Sequence, residues 1–139
     1  MTAPDREIVS AFTAYLGVDL DEASDEGFVR LTLDTEEKHT KTDGGVHEGV
    51  VLTMMDSALG MAIRLKRGQD ASELEPHATV DQNSSFLRAV QPGDRLIVEG
   101  RVKEVGDVVV SGEAEATRAS DGELVATSRF TFVVQQRRA

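Results

Sequence analysis

Cysteine is absent from this chain, and tryptophan with it; there is one tyrosine, and aromatic residues make up 4% of the sequence. Without a thiol there is no thiolate nucleophile, no cysteine-ligated zinc and no disulfide framework, a composition that fits a reducing compartment. Lysine is scarce, with four residues, so that 25 acids against 15 bases leave a net charge of −10. A domain that binds polynucleotides neutralises phosphates and carries the opposite balance, which sets nucleic acid aside as a partner. No apolar run approaches the roughly 20 residues needed to cross a bilayer. The first residues, Met1 to Arg6, lack the basic-then-apolar order of a signal peptide. The expectation is a soluble, cytoplasmic protein that does not contact membranes. Its 139 residues suit one domain, long enough to bury roughly 65–70% of its unfolded surface without staples.

What is present is organised around the stretch His47 to Ile63. From Val50 to Ile63 the side chains are apolar or small on nearly every side, so no solvent face can be drawn, the pattern of a helix wrapped by the rest of its fold. Asp56 is the one charge in that run. An ionised carboxylate in apolar surroundings is costly unless paired or hydrogen-bonded, which marks Asp56 as a functional candidate. The central helix is expected over 47–67, with acidic Glu48 at its start and basic Arg64, Lys66 and Arg67 at its end, both suited to the helix dipole.

Around it, residues 1–17 predict a short helix with Ile8, Val9, Phe12, Tyr15 and Leu16 on a buried stripe, stopped by Gly17. Asp19 to Glu26 reads as an acidic turn, Phe28 to Leu33 alternates as a strand, and Asp34 to Gly45 as a polar loop. Residues 77–134 predict an antiparallel meander: strands His77–Arg88, Arg95–Val105, Val108–Arg118 and Glu123–Val134, separated by turns at Pro92-Gly93-Asp94, Gly106-Asp107 and Ser120-Asp121-Gly122. The fold class is α+β, a curled antiparallel sheet wrapped around one long helix. In the first of these strands, strict alternation puts Thr79, Asp81, Asn83 and Ser85 on one face. So polar a strand suits a sheet edge or a subunit interface that lines a site. His39, His47 and His77 show no metal-ligand spacing, and no metal is expected.

That order of elements is the order of the hotdog fold, and the motifs agree with it. His47-Glu48-Gly49-(six residues)-Asp56-Ser57-Ala58 resembles the His-Gly-Gly-(six residues)-Asp-(Ser/Thr/Asn)-Ala signature of the phenylacetate-degradation (PaaI-like) acyl-CoA thioesterases. Ser85-Phe86-Leu87-Arg88-Ala89, Gly93-Asp94-Arg95-Leu96 and Asp121-Gly122-Glu123-Leu124 resemble the same family further along. The resemblance implies an acyl-CoA thioesterase for a small-to-medium acyl or aryl-acyl group, with coenzyme A as part of the substrate and no other cofactor. A non-catalytic acyl-CoA binding or sensing protein is the alternative.

By the same resemblance, Asp56 attacks the thioester or activates water, amides at Glu48 and Gly49 polarise the carbonyl, and Thr79 supplies an orienting hydroxyl. His47, Met55, Asn83 and Phe86 are expected to border the substrate. Two positions depart from the family pattern: Glu48 stands where the first glycine is usual, and Lys41 where many members carry asparagine. Geometry adds an independent point. Glu48 and Asp56 are eight residues, about 12 Å, apart along a helix, too far for one carbonyl to touch both. If both act on one thioester they come from two antiparallel helices, as a two-fold homodimer provides. The family resemblance implies the same, a homodimer or a dimer of dimers.

Overall fold

The computed structural model describes residues 10–68 and 77–134. Among the described residues two α-helices and six strands follow in the order α1 (Ala11–Leu16), β1 (Asp19–Ser24), β2 (Phe28–Asp34), a 3-10 turn at Glu37–His39, α2 (Glu48–Lys66), β3 (His77–Phe86), β4 (Arg95–Val105), β5 (Val109–Arg118) and β6 (Leu124–Val134). The strands form one sheet in the spatial order β1-β2-β4-β5-β6-β3, every neighbouring pair antiparallel. α2 lies across its concave face, which makes this the hotdog architecture. Among the described residues no helix is long and apolar enough to cross a membrane.

The central helix forms as its sequence predicts, within a residue at each end. Val51, Met54, Met55, Ala58, Leu59, Ala62 and Ile63 are buried on the sheet, against Leu31, Leu96, Val98, Val110 and Phe132. The helix comes so close because two of the strands beneath it carry glycine. A Cβ at Gly100 would sit 3.1 Å from both the Ala58 Cβ and the Leu59 nitrogen, and one at Gly112 would sit 2.6 Å from Leu59 Cδ2.

Four expectations are corrected. Asp19 to Ser24 is an edge strand paired with β2, not a turn: its acids Asp19, Asp21 and Glu22 stand in solvent while Ala23 is buried. Charged side chains are what a sheet edge tolerates, and here they mask the strand in the sequence. β3 is not the first strand of a meander. β4 is already flanked by β2 and β5, so the chain crosses over through residues 87–94 and β3 takes the free edge of β6.

The third correction concerns the first helix, whose described part is Ala11–Leu16; the portion expected over 1–9 lies outside the described residues. Ser10 caps it by accepting the Thr13 N–H. It buries Thr13 and leaves Phe12 and Tyr15 exposed, at 60% and 77%. Last, α2 is not wrapped on all sides. Gly49, Leu52, Thr53, Asp56, Ser57 and Arg64, which recur with the helix period, form a stripe that the fold covers only in part.

Candidate active site

The uncovered stripe of α2 and the edge strand β3 meet at Asp56. Thr79 Oγ1 donates to Asp56 Oδ1 at 2.7 Å, joining the middle of the helix to the far edge of the sheet. The aspartate is half-buried rather than sunk in the core. Thr79 reaches it because β3 carries a bulge between Thr79 and Asp81, so that Thr79 pairs with Phe132 and Gln82 with Phe130. The extra residue, Val80, breaks the period-two count. Thr79 therefore shares its face with Gln82, while Asp81 and Asn83 turn to the other side, where they border a cleft with Lys103, Glu113 and Arg129.

Asp56 borders two clefts. One, of about 360 Å³, is lined by Phe12, Leu52, Thr53, Thr79 and Phe130. The other, of about 150 Å³, is lined by Thr13, Ser57, Gly60, Arg64 and His77. Between them a chain of hydroxyls, Ser57 to Thr13 at 2.8 Å and Thr13 to Ser10 at 2.7 Å, fixes α1 on α2. His77 packs edge-on against Phe132, and its Nε2 lies 3.1 Å from where a Cβ at Gly60 would stand. Burial holds this imidazole below its ordinary pKa, and the nearby Arg64 cation adds to the effect.

The start of α2 is a separate place. His47 caps the helix, its Nδ1 accepting the Gly49 N–H at 2.8 Å. Glu48 pairs with Lys41, Nζ to Oε1 at 2.6 Å. The Lys41 ammonium first, and then the residue's own backbone N–H, hold the Glu48 carboxyl below the usual carboxylate range. The two departures from the family signature are thus each other's partners. Lys41, Glu48 and Phe86 border a cleft of about 430 Å³ together with Arg88 and Gln91.

Of the residues singled out in the sequence, the structure brings together Asp56 and Thr79 at one place, and His47, Glu48, Gly49 and Phe86 at another. Two substrate contacts are corrected. Met55 is fully buried in the core, with no surface to offer a ligand within the protomer. Asn83 lies across the sheet from Asp56, because the bulge reverses its face. Among the described residues no group of three or more histidines and acids is placed to hold a metal. His39 is structural: Nδ1 accepts the Glu36 N–H and the opposite nitrogen meets the Leu16 carbonyl.

Arg64 and His77 border Asp56 without having stood out in the sequence as site residues. The available signal was spacing, since Gly60 and Arg64 follow Asp56 at four and eight residues and His77 precedes Thr79 by two.

The site is thus a hotdog protomer's mid-helix carboxylate held by a hydroxyl from the edge strand. A model of the thioesterase superfamily matches residues 43–125, and the chain belongs to that superfamily. It is a thioester hydrolase. The chain is 35% identical over 111 residues to a provisionally named esterase of Halobacterium salinarum, covering 78% of this chain and 70% of that protein. It is 26% identical over 138 residues to acyl-coenzyme A thioesterase 13 of Homo sapiens, covering 94% of each. The PaaI protein from the phenylacetic acid degradation operon of E. coli superposes with a TM-score of 0.80 at 20% identity, covering 91% of this chain and 86% of that one.

Proposed function

We propose that this protein hydrolyses the thioester of a small-to-medium acyl or aryl-acyl coenzyme A at a site built from two protomers. The observation that carries the reading is the Thr79 to Asp56 hydrogen bond on a helix face that the protomer leaves partly open. Thr79 holds one carboxylate oxygen and so sets the direction of the other. The Asp56 carboxylate either takes a proton from water, whose oxygen adds to the thioester carbonyl and expels the coenzyme A thiolate to pick up that proton, or attacks the carbonyl itself, expelling the thiolate and forming an anhydride. Water then cleaves the anhydride to the free acid and the carboxylate, with the released proton going to the thiolate. The apolar wall of Phe12, Leu52 and Phe130 beside Asp56 suits an acyl or aryl group.

Two observations support a second protomer. β3 has a free edge and is exposed along most of both faces, with Val80 at 58%, a hazard in a monomer that pairing with another copy removes. The helix start, with its amides, borders a different cleft from Asp56, so a partner's helix is needed to bring both onto one carbonyl. In that arrangement the amides of Glu48 and Gly49 differ in readiness. The Gly49 N–H is already given to His47, and the Glu48 N–H faces only its own side chain. We assign the oxyanion donor to Glu48 on that ground.

The test is hydrolysis of an acyl-CoA panel alongside light scattering. Turnover is expected from a species of twice the 15.0 kDa chain mass or a multiple of it. Full turnover by a monomer overturns the shared site, and a dimer that binds acyl-CoA without hydrolysing it overturns the activity.

Glu48 gives a finer test. If it contributes its amide alone, Glu48→Gln should stay within about threefold of wild-type kcat, despite losing the ion pair with Lys41. Glu48→Gly, which removes the side chain competing for that amide, should match or exceed wild type at a small cost in helix stability. A fall of about 10²-fold in Glu48→Gln, with the dimer intact, would instead make its carboxylate a proton carrier.

A further inference from the structure

The smaller cleft beside Asp56 holds a cation that hydrolysis as described does not use. Arg64 lies on the same stripe of α2, eight residues or about 12 Å of helix rise beyond Asp56, and both border the same space of about 150 Å³. Its Nε is buried without a hydrogen-bond partner among the described residues. Burial also lowers the guanidinium pKa from its ordinary value, and no acid among the described residues offsets it. Even a partly desolvated cation gains from a partner, and a planar guanidinium fork matches a carboxylate better than any other common group.

Complementing the helix dipole does not account for it. Lys66, exposed at the helix end, serves that purpose at no desolvation cost. The rest of the cleft wall is mixed, with the Ser57 and Thr13 hydroxyls and the His77 imidazole as its polar parts and Met61 as its apolar one, so it can take a short carbon chain that ends in a polar group. Gly60 leaves the room in which His77 sits. The cleft therefore offers one cation at a distance from Asp56, with the Thr13, Ser57 and His77 side chains on its walls.

We propose that Arg64 binds a carboxylate at the far end of the acyl group, so that the substrates are coenzyme A monothioesters of short dicarboxylic acids. This rests on Asp56 as the hydrolytic carboxylate and places the acyl group in the smaller of its two clefts instead of against the apolar wall of the larger one: with the thioester carbonyl at Asp56, that cleft leads the chain along the helix toward Arg64, and its volume suits a few carbons.

The experiment compares glutaryl-CoA with valeryl-CoA, which has the same number of acyl carbons and no second carboxylate, in wild type, Arg64→Met and Arg64→Lys. Wild type should prefer glutaryl-CoA by at least about tenfold in kcat/KM, the scale of one charge-assisted pair in a partly dry site. Arg64→Met should bring that ratio to about one, and Arg64→Lys should restore part of it. Calorimetry with the hydrolysis-inert thioether analogues of both acyl groups separates this assignment from the hydrolytic one. If neither thioester is cleaved but the carboxylate-bearing analogue binds wild type about tenfold tighter than it binds Arg64→Met, the hydrolytic reading fails and Arg64 keeps its role. A wild-type ratio near or below one in both readouts overturns the proposal. So does a ratio that Arg64→Met leaves unchanged, including the case in which that variant alters only the dimer mass because Arg64 pairs with a partner's acid.

Discussion

Asp56→Asn is expected to lower kcat by a factor on the order of 10² or more, the usual contribution of a positioned acid or base, while unfolding at the same denaturant midpoint as wild type. Both halves follow from the geometry. The asparagine carbonyl can still accept the Thr79 hydroxyl that now meets Oδ1 at 2.7 Å, so the link between α2 and β3 survives. What disappears is the negative charge that attacks the carbonyl or accepts a proton from water. Because Asp56 is half-buried and is not part of the core, its replacement leaves the packing of α2 on the sheet untouched. Steady-state kinetics with an acyl-CoA substrate and a urea titration on the same preparation decide the matter. A folded variant with near-wild-type turnover would remove Asp56 from the chemistry.

Leu59→Ala should produce the largest loss of stability, about 2–5 kcal/mol against a total on the order of 5–15 kcal/mol for a domain of this kind. Leu59 is completely buried, and its Cδ2 occupies the space over Gly112 that a Cβ there would claim at 2.6 Å. Truncation leaves a void with a glycine on the sheet side and nothing to collapse into it, which places the cost toward the upper end of that range. Refilling from the sheet is blocked: a Cβ at Gly112 would also stand 2.9 Å from the Arg101 carbonyl oxygen, which belongs to the β4 backbone and cannot yield. Gly112→Ala combined with Leu59→Ala should therefore fail to restore the wild-type midpoint in urea. A Leu59→Ala protein within about 1 kcal/mol of wild type would show that the helix settles onto the sheet without this contact.

By itself the sequence determined the elements whose signals are local. The apolar run of α2 and its charged ends, the long alternating strands β4, β5 and β6 and the turns between them follow from side-chain periodicity and turn chemistry, properties of neighbouring residues. Asp56 stood out for the same reason, as a lone charge among apolar neighbours. Tertiary structure decided whatever depended on which strands pair and in what register. Asp19 to Ser24 became a strand because β2 had a free edge to offer, and β3 moved to the far edge of β6 because both edges of β4 were taken. A single bulged residue, Val80, put Thr79 on the face of Asp56 and removed Asn83 from it, a reversal that counting by twos cannot detect. The Lys41 to Glu48 pair and the meeting of Arg64, His77 and Asp56 in one cleft also depend on long-range placement, since loop closure and strand register bring these side chains together and no local pattern encodes either.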